Sequence, residues 1–279
     1  MKAGNAVTAM VFGWFVMGIL CPSLAAAEQS LKQEAWSILD AGLHDKSAEK
    51  RAEAIAALGV AAGDQRALTT LEECLRDPKP EIRAAAVGAL GFMNAKSSLP
   101  KIKALLSSAD AKTTLAIAAA LIKFRDPEGF EIYYELVTGE RKDGQKLADG
   151  LKDKKGLEKM GAEAAIGILP FGGVATGAYD YISGNSKSGA SLYVAAVNAL
   201  MEDPDPLVTK ALLQAAFDGR EPVRVAALRA LARRGDATVL NDLEPAMYSG
   251  KTAVDYTAAA AILHLIATGQ TPVNDRSRN

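Results

Sequence analysis

Few residues of this sequence have the type and spacing that catalysis or metal binding requires. Its two histidines, His44 and His264, lie near opposite ends of the chain. The sequence contains no Cys-x-x-Cys pair, no His-Glu-x-x-His motif and no phosphate-binding P-loop. The pattern therefore predicts a non-catalytic protein without a metal site, a histidine-based triad or a bound cofactor.

The composition gives no indication of a nucleic-acid partner. The 279 residues carry a formal net charge of −1, and 49% of them are hydrophobic, which is typical of a soluble globular or solenoid protein. Proteins that bind nucleic acid normally show a basic excess. We therefore expect no nucleic-acid partner.

The N-terminus has the three regions of a secretory signal peptide. Lys2 supplies a positive charge, an apolar stretch runs over residues 6–20, and Ala25 and Ala27 are the small residues that signal peptidase requires. The alternative is a membrane anchor, but the apolar run is short for a span of about 20 residues. We predict a signal peptide over residues 1–27, cleavage after Ala27, and a periplasmic or secreted protein.

The two cysteines are not expected to form a disulfide. Cys21 would be removed with the signal peptide, and it follows Leu20, whereas a lipobox cysteine normally follows a small residue. Cys74 has apolar neighbours on a predicted helix, which is typical of a buried structural thiol. One remaining thiol leaves packing alone to stabilise the mature fold.

A repeated helical segment organises most of the chain. Each copy ends in a leucine that follows small or apolar residues at i−1 and i−4, on one face of a helix. We call these residues the anchor leucines: Leu58, Leu90, Leu121, Leu200, Leu231 and Leu263. Their spacings are 32, 31, 79, 31 and 32 residues. Asp45, Asp77 and Asp218 precede three of them by 13 residues, and aspartate is a natural turn and N-cap residue.

This pattern resembles HEAT repeats, in particular the short bacterial kind related to phycobilisome lyases. The residues that carry the resemblance are 77–83 leading to 89–91, and 221–224 leading to 230–231. The resemblance implies an all-α solenoid of about six helical pairs. It also implies that Arg51, Arg83 and Arg224 form ladders with aspartates of neighbouring repeats, although Thr114, Tyr193 and Tyr256 replace the arginine elsewhere.

The spacing of 79 residues indicates an insertion within the fourth pair, over residues 139–187. Its first half is charged and lysine-rich, and its second half is apolar and glycine-rich. Three interpretations remain open. The insertion could pack on the solenoid, bind a partner or ligand through an exposed apolar surface, or contact a membrane as an interfacial or re-entrant segment.

The predicted boundaries are N-terminal repeats over 28–138, C-terminal repeats over 188–269 and a disordered tail over 270–279. The first helix, with Trp36, is expected to cap the N-terminal end. A repeat contacts only its neighbours, so His44 and His264, in the first and last units, are not expected to meet.

Stacked helical pairs usually bind proteins or peptides. We therefore predict an exported scaffold for a protein or peptide partner. The alternative that the resemblance implies is a lyase-related protein or chaperone that handles a tetrapyrrole or other ligand. Core packing is the default role of aromatic residues beside the insertion, and a partner-binding groove is the alternative. The candidate partner-binding residues are Phe130, Tyr133, Tyr134, Phe171, Tyr179 and Tyr181.

Overall fold

The computed structural model describes residues 22–138, 190–201, 203 and 205–269, and all regular secondary structure in these ranges is helical. The predicted insertion and tail, and the start and apolar core of the signal peptide, lie outside the described residues. The α-helices of the described ranges are α1 (Pro22–Leu43), α2 (Ala48–Leu58), α3 (Gln65–Cys74), α4 (Pro80–Met93), α5 (Leu99–Ala104), α6 (Ala111–Lys123), α7 (Glu128–Thr138), α8 (Ala190–Leu200), α9 (Pro206–Ala215), α10 (Glu221–Arg234), α11 (Leu240–Leu243) and α12 (Thr252–Gly269). Short 3-10 turns span Lys96–Ser98, Leu105–Ser107, Ala237–Val239 and Glu244–Tyr248.

These helices follow the order of a HEAT-type solenoid. The odd-numbered helices are the first helices of six successive units, and the even-numbered helices are the second helices. The second helices stack on one another, α2 on α4 and α4 on α6 in one half, and α8 on α10 and α10 on α12 in the other. The predicted all-α solenoid is confirmed.

The anchor leucines lie where these second helices meet. All but one are fully buried, namely Leu58, Leu90, Leu121, Leu231 and Leu263. Leu200, the last residue of α8, is only partly buried and packs against the same core. The repeat period therefore identified the register of the core correctly.

The turn aspartates have one of their two predicted roles. Each accepts a hydrogen bond of 2.8 Å from the backbone N–H two residues later, on Ser47, Lys79 and Arg220 respectively. Those later residues, and not the aspartates, occupy the N-cap positions of α2, α4 and α10. Asp45, Asp77 and Asp218 thus fold the turn before the helix instead of capping it.

The repeat arginines mainly bind their own units. Arg51 donates to the carbonyl of Asp45 at 2.8 Å, and Arg83 donates to the carbonyl of Asp77 at 3.0 Å. Arg83 also donates to the carboxylate of Asp110, the N-cap of α6, at 3.0 Å. This last bond is the kind of link between repeats that the resemblance implies.

The first and last units pack together, which the sequence analysis did not predict. Helix α12 packs on both α1 and α2, and we call this contact the seam. Thr252 of α12 donates to the carboxylate of Glu53 at 2.6 Å, and His264 Nδ1 lies 2.5 Å from the carbonyl oxygen of Ala62. The neighbour rule from which His44 and His264 were expected to stay apart therefore does not hold for the terminal units.

The seam also changes the role of the first helix. Trp36 and Leu39 of α1 are buried, and α1 contacts α12 as well as α2. The helix does not cap an open end, because the last unit covers it. The neighbour rule describes an open array, whereas the ends of this array pack against each other.

The insertion divides the fourth unit. Helix α7 packs on α6, and α8 packs on α10. Within the described ranges, α7 and α8 do not form a packed pair like α1 with α2 or α9 with α10. The insertion therefore follows a helix of the first half of the stack and precedes a helix of the second half.

Candidate functional site

Helix α7, which leads into the insertion, is held closely against α6. A Cβ atom at Gly129 would lie 2.6 Å from the carbonyl oxygen of Ala118 and 2.9 Å from the backbone nitrogen of Ile122. Only glycine allows such an approach without a backbone shift. The position of α7 is therefore fixed at its first turn.

Ion pairs secure the same turn. The Lys103 ammonium lies 2.7 Å from Asp126 Oδ2 and 2.8 Å from Glu128 Oε2. The hydrogen bond from Lys103 lowers the pKa of Asp126 below its ordinary value. Asp126 also accepts a hydrogen bond of 3.1 Å from the backbone N–H of Glu128. These contacts orient the start of α7 relative to α5.

Two of the predicted aromatic residues share the outer surface of α7. Phe130 and Tyr134 are four residues apart, so they lie on one helical face, and each is 65% exposed. We call this pair the aromatic face. Core packing, the default expectation, does not account for either side chain.

Tyr133 has the opposite environment. It is partly buried and packs against the hydrophobic core, as does the buried Ile132 beside it. Burial raises the pKa of the Tyr133 phenol to about 12, because the phenolate would lose its hydration. Of the three aromatic residues predicted on α7, Tyr133 is the one with a structural role.

Helix α7 also carries carboxylates that line a surface cavity. Glu128, Glu131 and Glu135 line a surface cavity of about 290 Å³ together with Leu106, Ser107 and Ile132. Acidic groups at the edge of an apolar face favour a partner with basic side chains, since complementary charge steers association and fixes register.

A second aromatic surface follows the insertion, and the sequence analysis did not identify it. The Arg220 guanidinium carbon lies 3.6 Å from the ring centroid of Tyr193, which is half-exposed. Two bonds of 2.7 Å join that guanidinium to Asp218 and lower the pKa of the carboxyl to about 2. Phe217 is also exposed there. The one sequence feature that pointed to this surface is that Phe217 directly precedes Asp218, a repeat aspartate.

Comparison with known proteins identifies the repeats. A family model described as HEAT repeats matches residues 37–132. Residues 37–132 of the chain are therefore HEAT repeats. The match begins within α1 and ends within α7, so it covers the first three units and the start of the fourth. The model describes HEAT repeats in general, so the lyase-related type stays a prediction. No curated protein matches the chain.

The structure does not bring together those remaining candidate residues that it describes. Phe171, Tyr179 and Tyr181 lie outside the described residues. His44 Nδ1 lies 2.8 Å from the carbonyl oxygen of Asp40 in its own helix, whereas His264 belongs to the seam. Among the residues that the structure describes, no group of three histidine, cysteine or acidic side chains is placed to hold a metal ion.

Cys74 is partly buried, and desolvation raises the pKa of its thiol to about 11. Little thiolate would form at neutral pH, which fits the predicted structural role. Within the described ranges, none of the helices is both long and apolar enough to cross a membrane.

Substitutions on the exposed aromatic face and at the buried Ile132 of α7 should have different effects on the free energy of unfolding. Phe130→Ala and Tyr134→Ala should each change the free energy of unfolding by less than about 0.5 kcal/mol, because both side chains lie outside the core. Ile132→Val should cost about 1 kcal/mol, because it removes a buried methylene from a packed site. Urea denaturation followed by circular dichroism measures the three values. A larger loss for Tyr134→Ala than for Ile132→Val would show that the aromatic face is part of the core.

Proposed function

We propose that this protein is an exported, non-catalytic scaffold that binds a protein or peptide partner through the aromatic face of α7. The observation that carries the proposal is the exposure of Phe130 and Tyr134 side by side on one helix. Aromatic residues are enriched at protein interfaces, where they bury a large area at low cost in conformational entropy.

The chemistry of the surface specifies the kind of partner. Glu131 and Glu135 directly follow Phe130 and Tyr134 on the same helix, and both line the surface cavity. Glu128 lines that cavity too, but it is already paired with Lys103. A basic segment with apolar side chains would complement both features, since its cations would pair with the carboxylates at the rim. The HEAT-repeat match supports a binding role, and it leaves the partner open.

Site-specific photo-crosslinking tests this assignment. A photoreactive phenylalanine analogue at position 130 should crosslink to a partner in the exporting cell, and the same analogue at Leu207 should not. Leu207 is a suitable control because it is 73% exposed and belongs to α9, away from α7. The purified partner should then bind the double variant Phe130→Ala/Tyr134→Ala at least about tenfold more weakly, as expected for two aromatic hot-spot residues.

Two outcomes would contradict the binding surface. One is equal affinity of the partner for the wild type and the double variant. The other is a partner whose crosslinked segment is acidic, because the glutamates of α7 would repel it. Affinity for a basic segment should fall as salt rises, since exposed charge pairs are screened.

Export is a separate part of the proposal, and it rests on the N-terminal pattern. Cleavage after Ala27 would shorten α1 without removing a buried residue from the described chain. Ala25, Ala26 and Ala27 are exposed, and from Ala25 onwards Leu31 is the first buried side chain of α1. The mature protein would thus keep its whole described core.

N-terminal sequencing measures the cleavage. Protein recovered from the periplasmic fraction or the medium should begin at Glu28. A chain that begins at Met1 and is recovered with the membrane fraction would support the membrane-anchor alternative instead. An Ala25→Arg/Ala27→Arg variant should accumulate uncleaved, because signal peptidase requires small residues at these positions.

A further inference from the structure

A surface cavity of about 780 Å³ lies at the seam. Its wall is formed by one face of α1, by the turn between α2 and α3 with the start of α3, and by Ala267 in the last turn of α12. We call it the seam cavity. Its volume falls within the range of small-molecule sites, about 300–1,000 Å³. The first and last units therefore share a space large enough for a small ligand.

The close contact between the two ends of the array forms one side of this cavity. Gly63 has a φ of 93°, which favours glycine, and a Cβ atom there would lie 3.5 Å from the Cβ atom of Ala267. One residue earlier, the carbonyl oxygen of Ala62 lies 2.5 Å from Nδ1 of His264. A ligand in the cavity would thus contact the first and last units together.

The charged residues of the wall compensate one another. Nη2 of Arg66 donates to both carboxylate oxygens of Asp40 at 2.8 Å. The guanidinium carbon of Arg66 also lies 3.9 Å from the ring centroid of Trp36. Lys32 Nζ lies 3.6 Å from Oδ2 of Asp64. Two cations and two carboxylates leave the lining residues without net charge, so the cavity favours neither an anion nor a cation.

Uncharged polar side chains form much of the remaining wall. Gln29, Gln33 and Ser37 are exposed on α1, and Gln65 is exposed at the start of α3. Within the described ranges, these four side chains make no hydrogen bond to the protein. A glutamine amide offers donors and an acceptor, and a hydroxyl group offers both as well. A ligand with several hydroxyl groups would therefore match the amides of this wall.

The cavity is less suited to an apolar ligand. Pockets for apolar ligands are lined mainly by hydrophobic and aromatic side chains. Of the described lining residues, Trp36 and Ala267 are the two with hydrophobic side chains, and Trp36 is only 5% exposed beneath Arg66. An apolar ligand would cover the glutamine amides without hydrogen bonds, which costs free energy.

We propose that the seam cavity binds a small neutral saccharide, whose hydroxyl groups exchange hydrogen bonds with the glutamine amides and with the partly exposed Arg66–Asp40 pair. This site goes beyond the surface proposed on α7, and it shares no residue with that surface. Because both ends of the array line the cavity, the bound saccharide should also stabilise the seam.

A glycan array tests the chemical class of the ligand. The purified protein should bind immobilised neutral oligosaccharides and should bind their sulfated and amino counterparts no better, because the charges of the wall are already compensated. Absence of binding to every neutral oligosaccharide would overturn the proposal. Stronger binding to the sulfated or amino forms would overturn it as well.

Isothermal titration calorimetry locates the site, with the free form of the neutral oligosaccharide that the array identifies. Gln33→Ala/Gln65→Ala should bind it at least about tenfold more weakly, because two hydrogen bonds are lost. The variant should keep the helical circular-dichroism signal, since both side chains are exposed and alanine favours helix. Gln214→Ala makes the same change at an exposed residue of α9 and should bind like the wild type. Equal affinity of the wild type and the double variant would show that the saccharide binds elsewhere.

Hydrogen–deuterium exchange tests the link to the seam. The same oligosaccharide at saturation should slow amide exchange in both α1 and α12 and leave α6 unchanged, since α1 and α12 line the cavity. Slower exchange in α1 without any change in α12 would contradict a site shared by the two ends. Phe130→Ala/Tyr134→Ala should bind the oligosaccharide like the wild type, so failure at the seam cavity can be distinguished from failure at α7.

Discussion

Leu90→Asp should unfold the protein at ambient temperature or lower its free energy of unfolding by about 4 kcal/mol or more, because an unpaired carboxylate would be buried in an apolar core. Leu90 is fully buried on α4. The neighbouring helices approach closely on both sides, since a Cβ atom at Gly59 would lie 2.9 Å from the Cα atom of Ala89, and one at Gly91 would lie 3.1 Å from the Cβ atom of Ala120.

Leu207→Asp is the matched control for this substitution. Leu207 is 73% exposed and lies in the first turn of α9, where the helix dipole tolerates an acid. Its change in free energy of unfolding should stay below about 0.5 kcal/mol. Thermal melts followed by circular dichroism compare the two variants. Similar losses of melting temperature would show that the repeat register is wrong.

The repeat register could be predicted because it depends on local sequence. An apolar residue at one helical position recurs in each unit, and the same packing recurs with it. The anchor leucines were identified in this way, and Leu200, on the helix that follows the insertion, is the one that is not fully buried. The aspartates before the second helices were recognised as turn residues. The geometry of the turn, and not the residue type, places them two residues before the N-cap.

The aromatic face was only partly predictable. Phe130 and Tyr134 each lie two residues from Ile132, which places them on the side of α7 opposite to a core residue, whereas Tyr133 lies closer to the buried side. Once Ile132 is assigned to the core, the helical period therefore predicts that Phe130 and Tyr134 are exposed. The aromatic surface of Tyr193 and Phe217 had no such signal, because it depends on how Arg220 folds over the ring.

The seam could not be predicted from the repeat pattern. A repeat motif specifies contacts between neighbours, and the curvature that brings the two ends together accumulates from small rotations in every unit. The types of the residues that meet at the seam do not by themselves indicate a contact. Gly42 in α1 and Tyr256 in α12 are far apart in sequence, and neither belongs to a motif that indicates their contact.

Gly42→Leu should therefore have a large effect for a substitution in a terminal helix. A Cβ atom at Gly42 would lie 2.6 Å from Tyr256 Cζ and 2.8 Å from the Cβ atom of Ala54. Tyr256 is itself buried, so its ring cannot move into solvent without exposing the core. A leucine side chain should cost about 3 kcal/mol or more by overpacking the seam. Gly219→Leu is the control, because no atom lies within 4 Å of a Cβ there, and it should cost less than about 1 kcal/mol.

The milder Gly42→Ala variant distinguishes a joined array from an open one. In an open array, a change in α1 would loosen only the first unit and its neighbour. Because α12 packs directly on α1, the same change should also increase amide hydrogen exchange in α12 while the middle of the stack, such as α6, keeps its protection. Hydrogen–deuterium exchange with mass spectrometry measures the three segments under conditions where the variant stays folded. Faster exchange in α1 with unchanged protection of α12 would show that the first and last units do not stabilise each other, and the seam would then contribute nothing to the stability of the fold.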